Sequence, residues 1–217
     1  MQKIIKNLFF IGIFVCILSI FLILGTYLAM KPNLPQIKYV DESELQMPLK
    51  VYTKDGVLIG EFGEIKRRAT SFNDIPDNIK NAFLSAEDDN FFNHQGISYT
   101  GLIRSFVRCL RPSGCQGGGG TITMQVVRGY LLTPEQTIVR KIKEIFLALE
   151  LESNIDKEEI FELYVNRIFL GNRSYGIEAA ANTYFNKNLS DLTISESATI
   201  AAIAQLPSRI NPVKNPR

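Results

Sequence analysis

The sequence has no tryptophan, a single histidine (His94) and only three cysteines in its 217 residues. One histidine leaves little material for a His-rich metal site or for a Ser-His-Asp triad. No CxxC pair and no Cys/His spacing points to zinc. Neither sign of charge is in excess: 24 Lys and Arg stand against 22 Asp and Glu, for a net +2. That balance gives no argument for a nucleic-acid partner and is compatible with an anionic membrane surface. Apolar residues are not scarce. At 46% apolar and 21% charged, the composition supports a packed core and argues against disorder. Cys16 lies in an apolar run and reads as a small apolar residue. Cys109 and Cys115 flank a turn-like Leu-Arg-Pro-Ser-Gly stretch. If exported, the two can close a local disulfide; in the cytosol they stay thiols.

A long uncharged run is present. Leu8 to Met30 reads LFFIGIFVCILSIFLILGTYLAM, and about 20 apolar residues span a bilayer as a helix. Lys3 and Lys6 precede it, which keeps the short N-terminus in the cytoplasm, and Lys31 weakens the asymmetry without reversing it. A cleaved signal peptide would have an apolar core of about 7–15 residues and a small-x-small site. This run is longer, and no such site follows. The expected layout is a cytoplasmic tail over 1–7, a transmembrane anchor over 8–30, a linker over 31–49 containing three prolines, and a folded domain over 50–217 outside the cytoplasmic membrane.

Two β-prone runs around Asp55-Gly56 predict a short hairpin over 50–62. Helical patterns follow. Pro76 opens a helix with Ile79, Ala82, Phe83 and Ala86 on one face. Ile103, Phe106, Val107 and Leu110 mark a second helix, and the glycines 117–120 interrupt the pattern. A helix is expected over Thr121 to Leu132. Thr133-Pro134-Glu135-Gln136 reads as a capping box for a long helix with an Ile138, Ile142, Ile145, Leu149 stripe. Asp156 with Glu159, and Thr193 with Glu196, read as caps of two more, the last ending before Pro207. Tyr175 to Phe185 is Ala-rich and reads as buried. Outside the hairpin the fold class is all-α.

Four segments carry groups able to do chemistry. Glu87, Asp88 and Asp89 end a helix together; neighbouring acids raise one another's pKa and suit a general base or a metal site. The plain alternative is a solvated acidic helix end. The glycine run before Thr121, Thr123, Gln125 and Arg128 allows close backbone approach to a ligand, or is a surface loop; without Gly-Lys-Ser/Thr it is no Walker A loop. Arg140, Lys141 and Glu144 share a helix, with Arg140 and Glu144 four apart. They are either an exposed ion pair or a cationic patch for phosphate with an acid beside it. Glu162 and Asn166 lie on a helix whose apolar face carries Ile160, Leu163 and Tyr164, and read by default as its solvent side. His94 reads as structural, satisfying a backbone carbonyl.

Taken together these segments resemble glycosyltransferase family 51, the domain of monofunctional peptidoglycan transglycosylases and class A penicillin-binding proteins. Glu87 to Gly96 matches EDxxFxxHxG; Gly119 to Gln125 resembles GGSTITQQ; Arg140 to Glu144 matches RKxxE; Lys157 to Gly171 resembles KxxIxExYxNxxxxG. Ser195 to Pro212 resembles the last motif, an Ala-rich helix ending in Leu-Pro and then Asn-Pro. The motifs occur in family order over about residues 50–217. Two positions depart. Gly120 stands where the family has Ser, removing a hydrogen bond worth about 0.5–1.5 kcal/mol, and Met124 stands where Gln is common.

The resemblance implies a lysozyme-like, two-lobed all-α domain that polymerises lipid II into glycan strands. Glu87 would take the proton from the acceptor 4-hydroxyl, which attacks the donor's anomeric carbon with inversion. Arg128, Arg140 and Lys141 would stabilise the departing undecaprenyl diphosphate, helped by Mg²⁺ or Mn²⁺ bound with that pyrophosphate. Glu144 would be the second acid, positioning the sugar or stabilising positive charge. Thr121, Thr123, Gln125, Lys157, Glu162, Tyr164 and Asn166 would line or support the substrate cleft. Implied partners are lipid II, the growing lipid-linked chain, the membrane and other cell-wall synthesis proteins. The rivals are a lysozyme-like glycan-cleaving enzyme, against which the cations speak, and an inactive membrane scaffold, for which Gly120 speaks.

Overall fold

The computed structural model describes residues 2–35, 37, 49–62, 70–109, 120–133 and 137–207. The element order is α1 (Gln2–Met30), β1 (Leu49–Tyr52), β2 (Leu58–Phe62), α2 (Asp77–Glu87), α3 (Tyr99–Cys109), α4 (Ile122–Leu131), α5 (Ile138–Asn154), α6 (Lys157–Arg167), α7 (Ile177–Phe185) and α8 (Ile194–Gln205), with short 3-10 turns between some of them. The all-α reading with one hairpin holds.

Strands β1 and β2 pair antiparallel, Leu49 opposite Phe62 and Tyr52 opposite Leu58, with a register break between Val51 and Tyr52. Gly56 turns the chain at φ 82. Helix α1 contains a 21-residue stretch, Phe10–Met30, long and apolar enough to cross a membrane and not buried against the rest of the chain. Its C-terminal end reaches the domain: the Tyr27 ring meets Phe146 of α5 edge-on at 5.1 Å. Leu34 and Ile37 then pack on the core.

That core is built by α4, α5 and α6, with α2 laid on α8. Phe83, Phe91, Phe161, Ile122, Leu147 and Leu151 are fully buried at its centre. The expected α2 stripe points inward through Ile79 and Phe83. The other two do not: Ile138 and Leu149 of α5 are exposed while Glu144, Leu147, Ala148 and Leu151 face the core, and Ile103 and Val107 of α3 are exposed. Ala179, Ala180 and Ala181 of α7 are buried as their composition suggested.

Helix starts depart from the sequence reading in three places. Pro76 is the extended residue before α2 rather than its first residue. The N-cap of α5 is Thr137, whose hydroxyl accepts from Arg140 N at 3.1 Å. The expected Thr133 box therefore does not start that helix, and residues 134–136 lie outside the described residues. Asp156 precedes α6 without a side-chain cap bond, whereas Thr193 and Glu196 form a complete capping box on α8. The Cys109–Cys115 alternative also falls outside the described residues, as do the glycines 117–119.

Candidate active site

Glu87 is the last residue of α2 and is half-buried. Its Oε2 accepts a 2.8 Å hydrogen bond from the Gln125 side-chain amide of α4. Burial raises its pKa above the ordinary carboxylate value; the Gln125 bond and the Arg128 charge pull it down, and Asp88 adds a smaller upward push. A carboxylate poised in this way is suited to accept a proton.

The acidic triplet does not act as one group. Asp88 leaves the helix with φ −159 and ψ 80 and turns inward. Its Oδ2 accepts from His94 Nε2 at 2.9 Å and from the Ile122 backbone N–H at 3.1 Å. His94 thus satisfies a carboxylate rather than a backbone carbonyl. A carboxylate only accepts, so Nε2 carries the proton; Nδ1 has no partner among the described residues. Asp89 is exposed. Among the described residues no three His, Cys, Asp or Glu side chains gather to hold a metal ion.

The glycine of the HxG segment has a steric reason. Gly96 sits at φ +78, and a Cβ there would lie 2.7 Å from the Ala148 carbonyl oxygen of α5. Thr121 closes the same corner. Its hydroxyl donates to Gly96 O at 2.6 Å and accepts from Met124 N at 3.1 Å, capping α4. The loop ending at Gly96 and the start of α4 are therefore bonded twice, through Asp88 and through Thr121.

Helix α5, packed on α4, carries the second acid. Glu144 is 1% exposed, not a surface ion-pair partner, with Lys141 Nζ at 2.9 Å from Oε2 and Arg140 Nε at 3.4 Å from Oε1. The Lys141 side chain stays 42% exposed. A Cβ at Gly120 would sit 3.8 Å from Lys141 Nζ, so the glycine loop ends over this cation. Helix α4 thus holds Glu87 through Gln125, and the Glu144–Lys141–Arg140 group of α5 lies beside Gly120, just before the start of α4.

A family model described as Transglycosylase matches residues 55–217. The chain belongs to the transglycosylase family. It is 51% identical over 192 residues to penicillin-binding protein 1A of Pseudomonas aeruginosa, covering 88% of this chain and 23% of that one. It is 38% identical over 212 residues to penicillin-binding protein 1A of Escherichia coli, covering 98% of this chain and 25% of that one. The chain therefore spans about a quarter of the length of these curated relatives. A crystal structure of penicillin-binding protein 1A from Haemophilus influenzae matches at 32% identity and TM-score 0.42, over 79% of this chain and 16% of that one.

The remaining transglycosylase positions singled out in the sequence fall into two sets. Arg128 is exposed on α4, and its charge reaches Glu87. Tyr164 of α6 is buried, and its phenol is raised well above the ordinary value by burial first and by Glu87 second. The others brace the fold. Thr123 is buried and donates to Glu152 Oε1 at 2.5 Å, and Lys157 reaches the same oxygen at 2.7 Å while lying over the Phe91 ring. Glu162 Oε2 accepts from Phe72 N at 2.7 Å. Asn166, expected on a solvent face, is 1% exposed and bonds both Thr70 N and Thr70 O. Glu152 is the residue that sequence reasoning missed. It is one of several acids on α5, and nothing local distinguishes it from its exposed neighbour Glu150.

Proposed function

We propose that this chain is a peptidoglycan glycosyltransferase of the transglycosylase family, polymerising lipid II with release of undecaprenyl diphosphate. The observation that carries the reading is the division of labour around α4. One acid, Glu87, is half-buried with a raised pKa and an amide on one oxygen; the other, Glu144, is buried beneath two cations.

Glu87 takes the proton of the acceptor 4-hydroxyl as that oxygen bonds to the donor's anomeric carbon, with inversion. The anomeric C–O bond breaks, and its electrons leave on the pyrophosphate. A pyrophosphate departs as a stable anion, so cations serve it better than an acid. Lys141, Arg140 and Arg128 take that role. Glu144 holds Lys141 and Arg140 in place and positions the donor sugar. The chain offers no resident metal donor set among its described residues. A Mg²⁺ or Mn²⁺ ion would come with the substrate's pyrophosphate and add positive charge there. Thr123, Lys157, Glu162 and Asn166 brace the helices behind the base, Gln125 bonds it, and Tyr164 lies buried within reach of its charge.

The apolar span of α1, following Lys3 and Lys6, sets the N-terminus in the cytoplasm and the domain outside. On α3, Tyr99, Ile103 and Val107 are exposed and would dip into the membrane surface that carries the polyprenyl tails.

The test is polymerisation of labelled lipid II by purified protein with Mg²⁺, beside Glu87→Gln. Long glycan from the wild type and a loss of about 10²–10⁴-fold in the variant is the expected result. Release of short glycan from preformed strands would favour the hydrolytic rival. No product from folded wild type would favour the scaffold.

A further inference from the structure

Resting on the reading of Glu87 as the base, we propose that the Tyr164 hydroxyl is a positioning group for it, a second donor that meets the Glu87 carboxylate beside the Gln125 amide when substrate closes the site. Tyr164 is 3% exposed, and its Oη meets no hydrogen-bond partner among the described residues. A buried hydroxyl without a partner is destabilising and rare, and phenylalanine would fill the same space without that cost. A group kept in such a position calls for a use outside folding.

Its placement supplies one. Phe83 and Glu87 are one turn apart on α2 and share a face. The Tyr164 ring packs edge-on against Phe83, with centroids 6.1 Å apart, and tilted against Phe161 at 6.5 Å. The phenol therefore lies on the face of α2 that ends in Glu87. From α4, Gln125 takes one carboxylate oxygen, Oε2. The charged and titratable groups acting on Glu87 are Asp88 from the same helix end and Arg128 from α4, while Glu87 and Arg128 act in turn on Tyr164 from α6. Helix α8, which packs on α2, adds only the uncharged Gln205 amide, on the Ala86 carbonyl. Because burial first and Glu87 second hold the phenol protonated, a contact with the carboxylate finds it a donor.

The experiment uses the full chain with labelled lipid II. Rate against pH and thermal unfolding are measured for wild type, Tyr164→Phe and Glu87→Gln. The expected Tyr164→Phe protein unfolds at or above the wild-type temperature. Its kcat falls on the order of tenfold with little change in KM. The acidic limb of its rate–pH profile moves to higher pH, because an ionised base that loses a donor is easier to protonate. A wild-type rate, an unmoved limb, or an earlier unfolding that marks the hydroxyl as a structural contact would each overturn the proposal. The controls separate the two levels. A Glu87→Gln protein that still polymerises removes the base assignment itself, whereas an inactive Glu87→Gln beside an unaltered Tyr164→Phe removes only the positioning role.

Discussion

The Glu87 carboxyl is easier to protonate in the folded chain than in the unfolded one, burial being the main cause. A raised folded-state pKa contributes stability at low pH that is lost as pH rises through that value. At neutral pH the ionised base therefore weighs against the fold. Glu87→Gln should unfold at a higher temperature than wild type at pH 7 to 8 and at the same temperature near pH 4; calorimetry at the two pH values checks this. Gly120 invites the opposite change. A Cβ there meets nothing closer than Lys141 Nζ at 3.8 Å, so Gly120→Ser should fold normally. It should lower KM for lipid II about twofold to tenfold if the hydroxyl reaches substrate. An unchanged KM would show that this position makes no contact. At this scale the sequence was only partly legible. Side chains turn by about 100° per helical residue, so Glu87 and Asp88 diverge at the end of α2. No composition says which of the pair faces the cleft. The same applies to Thr123 and Asn166, whose polar groups are consumed inside by Glu152 and by the Thr70 backbone.

Helix ends tell a similar story at the next scale. Thr193 caps α8 with a hydroxyl bond to Glu196 N, and the Glu196 carboxylate returns to Thr193 N at 2.8 Å. Lys187 and the Thr193 backbone pull the Glu196 pKa down to about 2. That depression is a stabilising contribution present above the ordinary carboxylate range and lost only as pH falls toward about 2, so this cap outlasts mild acid. Asp156 opens α6 without any such bond. Thr193→Ala should cost about 1 kcal/mol in urea unfolding, and Asp156→Ala only a few tenths. Equal losses would mean that the Asp156 carboxylate acts through the helix dipole as strongly as a hydrogen bond does. Element existence was readable because apolar spacing repeats over several turns. Starts were less so: Thr133 and Thr137 are both followed by plausible first turns, and only the hydroxyl bond to Arg140 N decides between them.

For the molecule as a whole, the apolar helix α1 meets the domain rather than merely preceding it. Tyr27 contacts Phe146, two residues beyond Glu144 on the helix that also carries Arg140 and Lys141. A chain beginning at residue 31 should bind anionic liposomes more weakly than the full chain yet measurably, through the exposed face of α3. Adding Ile103→Ser and Val107→Ser should abolish the remainder in a flotation assay. Full binding after both changes would remove α3 from the membrane contact. The longest apolar run announced the helix α1 plainly; its ring contact with α5 depends on tertiary approach and has no sequence signal.

The two bonds that lace the Asp88–Gly96 loop to the head of α4 have a consequence for how activity fails. One Asp88 oxygen holds both Ile122 N and His94, and one Thr121 hydroxyl both binds Gly96 and caps the helix that carries Gln125, so displacing either side chain breaks two bonds at once. Glu87 and the amide that holds it are thus lost in the same event. A heated sample should contain competent molecules and inactive ones, with no half-rate population between them.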